Sequence, residues 1–255
     1  MFDGDTCGRN FKENLVSCQL RQLCFDARDP SRLAQFWAAV LFREIDSDCD
    51  YGAELLPTDD ANFIIAFYPS DEIKTSPNQM HFDLTSTSLD HQRATVRKAI
   101  DLGATHIDIG QGAKATHVVL ADPEGNEFCV IEPGNNFLAD CGFIGALACE
   151  GSREVGYFWS EVLGWPLVWD ENQETAIRSP LGGPKITWGG APLSPTTTKC
   201  RLHFDIAPPA NGDQRAEVDR LISLGASHID IGQGDANWVV MTDPDGHEFC
   251  VLTPR

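Results

Sequence analysis

Positive charge is scarce in this chain. Lysine and arginine number 19 against 38 aspartates and glutamates in 255 residues, a formal net charge of −19. Nucleic-acid phosphates and anionic membrane surfaces would repel it, so neither is an expected partner. The plainer meaning of the charge is solubility. No run approaches the roughly 20 apolar residues of a membrane-spanning helix. The opening stretch MFDGDTCGRNFKENLVSC has no apolar signal core, so secretion is not expected. Nine cysteines are odd in number, scattered and without a CxxC pair. They suit reduced thiols in a cytoplasm better than a disulfide framework.

What the chain does have is repetition. HIDIGQG occurs at residues 106–112 and again at 228–234, an offset of 228 − 106 = 122. The same offset carries Phe36-Trp37 onto Phe158-Trp159, and His81-Phe82-Asp83 onto His203-Phe204-Asp205. After GQG the second copy is one residue shorter, and DPEGNEFCV at 122–130 then matches DPDGHEFCV at 243–251. The chain is therefore a tandem duplication of units of roughly 118 residues. The reading divides it into an N-terminal arm (1–18), a first domain (19–137) and a second (138–255), with EPGNNFLADCG as the joint. GQG lacks the third glycine of a dinucleotide fingerprint, and strands rather than a helix follow it.

Each unit alternates strand, helix and further strands, twice over. RQLCFDA predicts a strand. Asp29 is a good helix N-cap with Pro30 at the first helical position, and Leu33, Phe36, Trp37 and Val40 share an apolar face. Thirty-odd residues of weak strand pattern follow, best in NFIIAFY. MHFDLTS predicts a strand, and SLDHQRATVRKAIDLG a helix capped by Ser88 and stopped at Gly103. THIDIG, THVVLAD and EFCVIEP predict three short strands, with Ile107 and Ile109 inward and His106 and Asp108 outward. DPEGN between the last two is a turn.

DPSRLAQFW after the first strand, HFDL, a helix ending in LGA, and DPEGNEFCV occur in this order in the first copy, and SREVGYFW, HFDI, LGA and DPDGHEFCV follow the same order in the second. The pattern resembles the vicinal oxygen chelate superfamily, and most closely its glyoxalase/bleomycin-resistance branch. The resemblance implies an α+β fold of tandem glyoxalase-like domains, each of paired βαβββ modules forming an open curved-sheet cup for a small ligand. Metal-using members take ligands from the first, fifth and eighth strands. The matching positions in the first unit are Gln22, His81 and Cys129; in the second they are Ile144, His203 and Cys250. Cysteine stands where a glutamate is usual, and isoleucine cannot bind a metal, so no metal and no cofactor are expected.

A repeated polar set remains. Strand alternation puts His81 with Asp83, His203 with Asp205, Glu127 with Cys129 and Glu248 with Cys250. His81 and Asp83 are the candidate catalytic pair, the carboxylate orienting the imidazole. Buried polar residues that satisfy one another are the plainer alternative. The candidate ligand-binding set is Gln22, His81, Glu127, Cys129, Trp188, His203, Asp205, Trp238 and Cys250. Trp188 and Trp238 would line the second cup and make it the more aromatic one. Trp37 and Trp159 belong to the core. The expected function is metal-independent binding of a small organic metabolite, of the sequestration or resistance type. The alternatives are a metal-free isomerase, cyclase or lyase using the His-Asp pair, and a metal-dependent lyase or dioxygenase. The expected state is a cytoplasmic monomer, a pseudo-dimer by duplication, or a homodimer.

Overall fold

The structure, a computed structural model, describes residues 17–49, 51–112, 114–190 and 200–255. The arm expected over 1–18 lies outside the described residues up to 16. Four βαβββ modules follow. The first is β1 (Gln19–Ala27), α1 (Pro30–Leu41), β2 (Ile45–Cys49), β3 (Gly52–Leu55) and β4 (Ile64–Pro69). The second is β5 (Met80–Leu84), α2 (Leu89–Asp101), β6 (Thr105–His106), β7 (Val118–Ala121) and β8 (Glu127–Val130). The third is β9 (Ile144–Cys149), α3 (Arg153–Leu163), β10 (Leu167–Glu171), β11 (Glu174–Arg178) and β12 (Lys185–Trp188). The fourth is β13 (Leu202–Ala207), α4 (Gln214–Ser223), β14 (Ser227–His228), β15 (Val239–Thr242) and β16 (Glu248–Val251). The weak pattern after α1 thus resolves into β2, β3 and β4.

Two open eight-stranded sheets result, ordered β14-β15-β16-β13-β1-β4-β3-β2 and β10-β11-β12-β9-β5-β8-β7-β6. The fold class is the α+β arrangement of paired modules that the sequence pattern implies. Each sheet, however, takes one module from each half of the chain. Modules one and four make the outer sheet, and modules two and three the inner sheet. At the centre of each, two first strands run antiparallel: β1 beside β13 and β5 beside β9.

The core lies between the sheets. Along β1, Leu23, Phe25 and Ala27 face it, and Gln22, Cys24 and Asp26 face the opposite way. Trp37 on α1 meets Phe25 of the outer sheet and Phe82 and Phe128 of the inner one at 5.0–6.1 Å. Trp159 on α3 repeats this against Phe204 and Phe249. Each indole N–H donates to the aspartate of the DPxG turn, Trp37 to Asp122 at 3.1 Å and Trp159 to Asp243 at 3.3 Å. The other oxygen of Asp122 accepts from the backbone N–H of Glu124 and Asn126, and that of Asp243 from Asp245 and His247. The repeated motif is therefore the socket that seats each buried tryptophan.

HIDIGQG proves to be a turn-making word. Only its histidine pairs in a strand, and Ile109 and Ile231 are exposed rather than inward as expected. Asp108 accepts from the N–H of Gly110, and Gln111 from that of Ile109. Asp230 and Gln233 do the same for Gly232 and Ile231. Side chains take the amide protons that a longer strand would have donated to its neighbour.

Candidate functional site

The faces turned away from the core carry the repeated polar residues. On the outer sheet, Gln22 stands opposite Asp205 and Cys24 opposite His203 on neighbouring strands. Cys250 pairs in register with Asp205. Gln22 donates through Nε2 to Asp205 Oδ2 at 2.8 Å and to the Tyr68 hydroxyl at 2.9 Å. His203 Nε2 lies 3.5 Å from Asp205 Oδ1. Burial, then Asp205 and Cys250, push the Cys24 thiol well above its ordinary value. Burial also raises Tyr68. This face gathers Gln22, Cys24, His203 and Cys250 around one buried carboxylate, Asp205.

On the inner sheet, Asp83 stands opposite Ala146 and His81 opposite Ala148. Cys129 is in register with Asp83 on the other side. His81 Nε2 lies 3.4 Å from Asp83 Oδ1. Burial alone would lower the imidazole, but hydrogen bonds to Asp83 and Cys129 outweigh it and lift His81 to about 10. The pairing thus favours the protonated ring. Glu127 is held by Lys74 Nζ at 2.6 Å and accepts from the Asn78 N–H. The His81 and Asp83 side chains are 31% and 21% exposed, against 14% and 7% for His203 and Asp205. The inner face is thus the more accessible of the two.

Several sequence-based placements need correction. Gln22 does not share a face with His81 and Cys129, because its strand joins module four; it belongs with His203, Asp205 and Cys250. The position equivalent to Gln22 on β9 is Ala146 rather than Ile144, which pairs with Leu84 and joins the core. Relative to the helix that follows, β9 has slipped by two residues, so counting back from the Phe-Trp pair misplaces it. Trp188 is 2% exposed and packs in the core, against Gly151. Trp238 lies in the exposed segment before β15. Neither tryptophan joins the His-Asp pairs, so the second unit has no aromatic cup. His81, Asp83 and Cys129 do come together, as do His203, Asp205, Gln22 and Cys250. Cys24 was not among the sequence candidates. Its signal was its place two residues after Gln22, on the same face of one strand.

The segment between the halves completes the inner face. Leu138 packs on Val119, Cys129 and Ala146, over the gap left by the small residues of β9. The Phe137 ring lies 4.2 Å from Lys185 Nζ and 5.7 Å from the Trp169 ring. Lys185 donates to the Phe137 carbonyl and Arg178 to that of Asp140. The outer face has Gln22 and Cys24 where the inner one has Ala146 and Ala148, and so fills the same gap from within.

A family model described as glyoxalase-like domain matches twice, over residues 22–131 and 145–252. Among solved structures, glyoxalase I from Zea mays is similar with a TM-score of 0.59 and 12% identity, covering 93% of this chain and 92% of that one. A Bacillus subtilis protein provisionally named a dioxygenase gives 0.58 and 14%, covering 93% and 85%. At such identities the likeness is one of fold. No curated protein matches the sequence significantly. Among the described residues, no helix is long and apolar enough to cross a membrane.

Proposed function

Because the chain belongs to the glyoxalase-like domain family, in the vicinal oxygen chelate superfamily, through both of its halves, we propose that it binds a small organic molecule on the inner sheet without a resident metal. The observation that carries this reading is His81, whose ring stands beside Asp83 and Cys129 yet is still reachable from outside. A charged donor fixed by a carboxylate grips an acceptor oxygen of a ligand. The outer face, with its buried carboxylate already bonded by Gln22, acts as the rigid counterpart.

A metal of the kind that some members of this superfamily use is the obvious competitor. His81, Asp83 and Cys129 offer donor atoms within 4.8 Å of one another, as do Cys24, His203 and Asp205. The fit is poor on two grounds. The first-strand position of the inner face, where the ligand is placed, is Ala146, which has no donor. His81 Nε2 is turned to Asp83, which favours a proton there, and a metal needs that nitrogen deprotonated.

A second reading is favoured by the same ring, whose protonated form Asp83 favours. It can release a proton to a bound molecule, so metal-free isomerase or lyase chemistry with His81 as the acid fits the geometry. Native mass spectrometry with elemental analysis tests the main reading. Wild-type protein should hold well under one equivalent of transition metal. A small organic molecule carried through purification should be lost from His81→Ala, which weakens a buried charged contact by about 1–3 kcal/mol, or roughly 5- to 150-fold. A stoichiometric metal lost in the same variant would overturn the reading. Equal retention of the molecule by both proteins would assign His81 to structure alone.

A further inference from the structure

Lys185 and Arg178 are the next residues along the row that begins at Cys129 and Asp83. Across the inner sheet that row reads Val119, Cys129, Asp83, Ala146, Lys185, Arg178. The two cations lie side by side on adjacent strands, on the face that carries His81. Among the described residues neither makes an ion pair. Lys185 bonds the carbonyl oxygen of Phe137, and Arg178 those of Asp140 and Gly183. In a chain with twice as many acidic as basic residues, two neighbouring cations whose hydrogen bonds all go to neutral oxygens, with the Phe137 ring beside Lys185, are an unusual pairing. Carbonyl oxygens lack the full negative charge with which a carboxylate would pair these cations.

The group covering them is the chain's own. Residues 137–141 cross the face as a strap anchored downstream, where Asp60 accepts from the N–H of Phe143 and Thr85 donates to the carbonyl of Gly142. Its contacts are those of an organic acid: an apolar body, Leu138, over the alanine gap, and oxygen atoms on the two cations.

We propose that Lys185 and Arg178 form a carboxylate-binding pair, that the ligand of the inner face is a small organic acid, and that it enters by displacing strap residues 137–141. This rests on the reading that a ligand reaches His81, and it extends that reading to a ligand class. Lys185 and His81 are two strands and two residues apart, roughly 12 Å between Cα atoms. With both side chains leaning inward, a linear dicarboxylate of about six carbons spans them, one end on the cations and the other on the His81 ring.

Adipate is the probe. Hydrogen–deuterium exchange on the full chain should show faster exchange over 136–141 when millimolar adipate is added, because the ligand replaces the strap instead of being covered by it. Affinity from calorimetry should fall roughly tenfold or more in Lys185→Met/Arg178→Met, the usual loss of a charge-assisted bond. Lys185→Gln alone serves if the double variant does not fold. Absence of binding by adipate, glutarate and pimelate would overturn the ligand class. Binding that slows exchange in the strap, or that is equally strong in the cation variants, would overturn displacement. His81→Gln separates the two levels. If it binds adipate as wild type does while the cation variants do not, the pair stands and the role given to His81 fails.

Discussion

His81 gains its charge from its neighbours, and that gain is a stability term. Its pKa rises from about 6.5 unfolded to about 10 folded, through Asp83 and Cys129 against the opposing effect of burial. The folded state therefore favours the protonated ring. The contribution is complete below pH 6.5, declines as pH rises through that window, and is gone above pH 10. Urea unfolding of wild type and His81→Gln at about pH 6, 8 and 10 should show a difference that is largest at the acid end and shrinks at each step. A difference that grows with pH would mean the ring folds in its neutral form. The pairing of His81 with Asp83 was legible in HFD, because residues two apart on a strand share a face. The preference for a protonated ring was not, since besides Asp83 it depends on Cys129, which lies 129 − 83 = 46 residues beyond Asp83 and comes into register with it on the neighbouring strand.

At the scale of elements, the helices are seated by close contacts that leave little tolerance. On α3, Gly156 lies against β11, and a Cβ there would come 2.0 Å from Thr175 Oγ1 and 2.6 Å from Thr175 Cβ. Thr175 is 1% exposed and cannot turn away freely. Gly156→Ala should therefore destabilise by about 1–3 kcal/mol despite alanine's better helix propensity, because overpacking outweighs a propensity gain of about 1 kcal/mol. Thermal melts of Gly156→Ala and of Gly156→Ala/Thr175→Ala check this, and the second substitution should recover part of the loss. If Gly156→Ala melts higher than wild type, the contact is not tight. Helix starts were readable from the sequence. Asp29 accepts from the N–H of Arg32 and Ser88 from that of His91, as capping residues should. The length of the strand in HIDIGQG was misread, since its side-chain bonds end the ladder where hydrophobic alternation would have continued it.

The whole molecule behaves as a dimer fused into one chain. Each half supplies one module to each sheet, so a half alone would leave the inner edges of β1 and β5 unpaired. By the repeat, β5 is the counterpart of β13, the partner of β1, and β1 the counterpart of β9, the partner of β5. Two copies of the first half can therefore close both edges with one symmetric interface. Residues 17–143 expressed alone should run as a dimer by light scattering at micromolar concentration. A folded, monodisperse monomer would mean the halves are independent domains.

The sequence by itself determined everything that depends on near neighbours or on the repeat: the duplication, the module order, the helix caps, the buried Trp37 and Trp159, and the shared face of each His-Asp pair. Tertiary structure alone decided which modules share a sheet, and so which first strand meets which histidine. Either pairing satisfies the same backbone hydrogen bonds and buries the same alternating face, so no local pattern distinguishes them. It also decided the slip in β9. A slip of two residues preserves the alternation of the strand, and the irregularity that turns Ile144 into the core leaves no mark in it, so alternation could not reveal that Ala146 rather than Ile144 stands opposite Asp83. The gap those alanines leave, and the strap laid over it beside Lys185 and Arg178, exist only once strands distant in sequence are side by side.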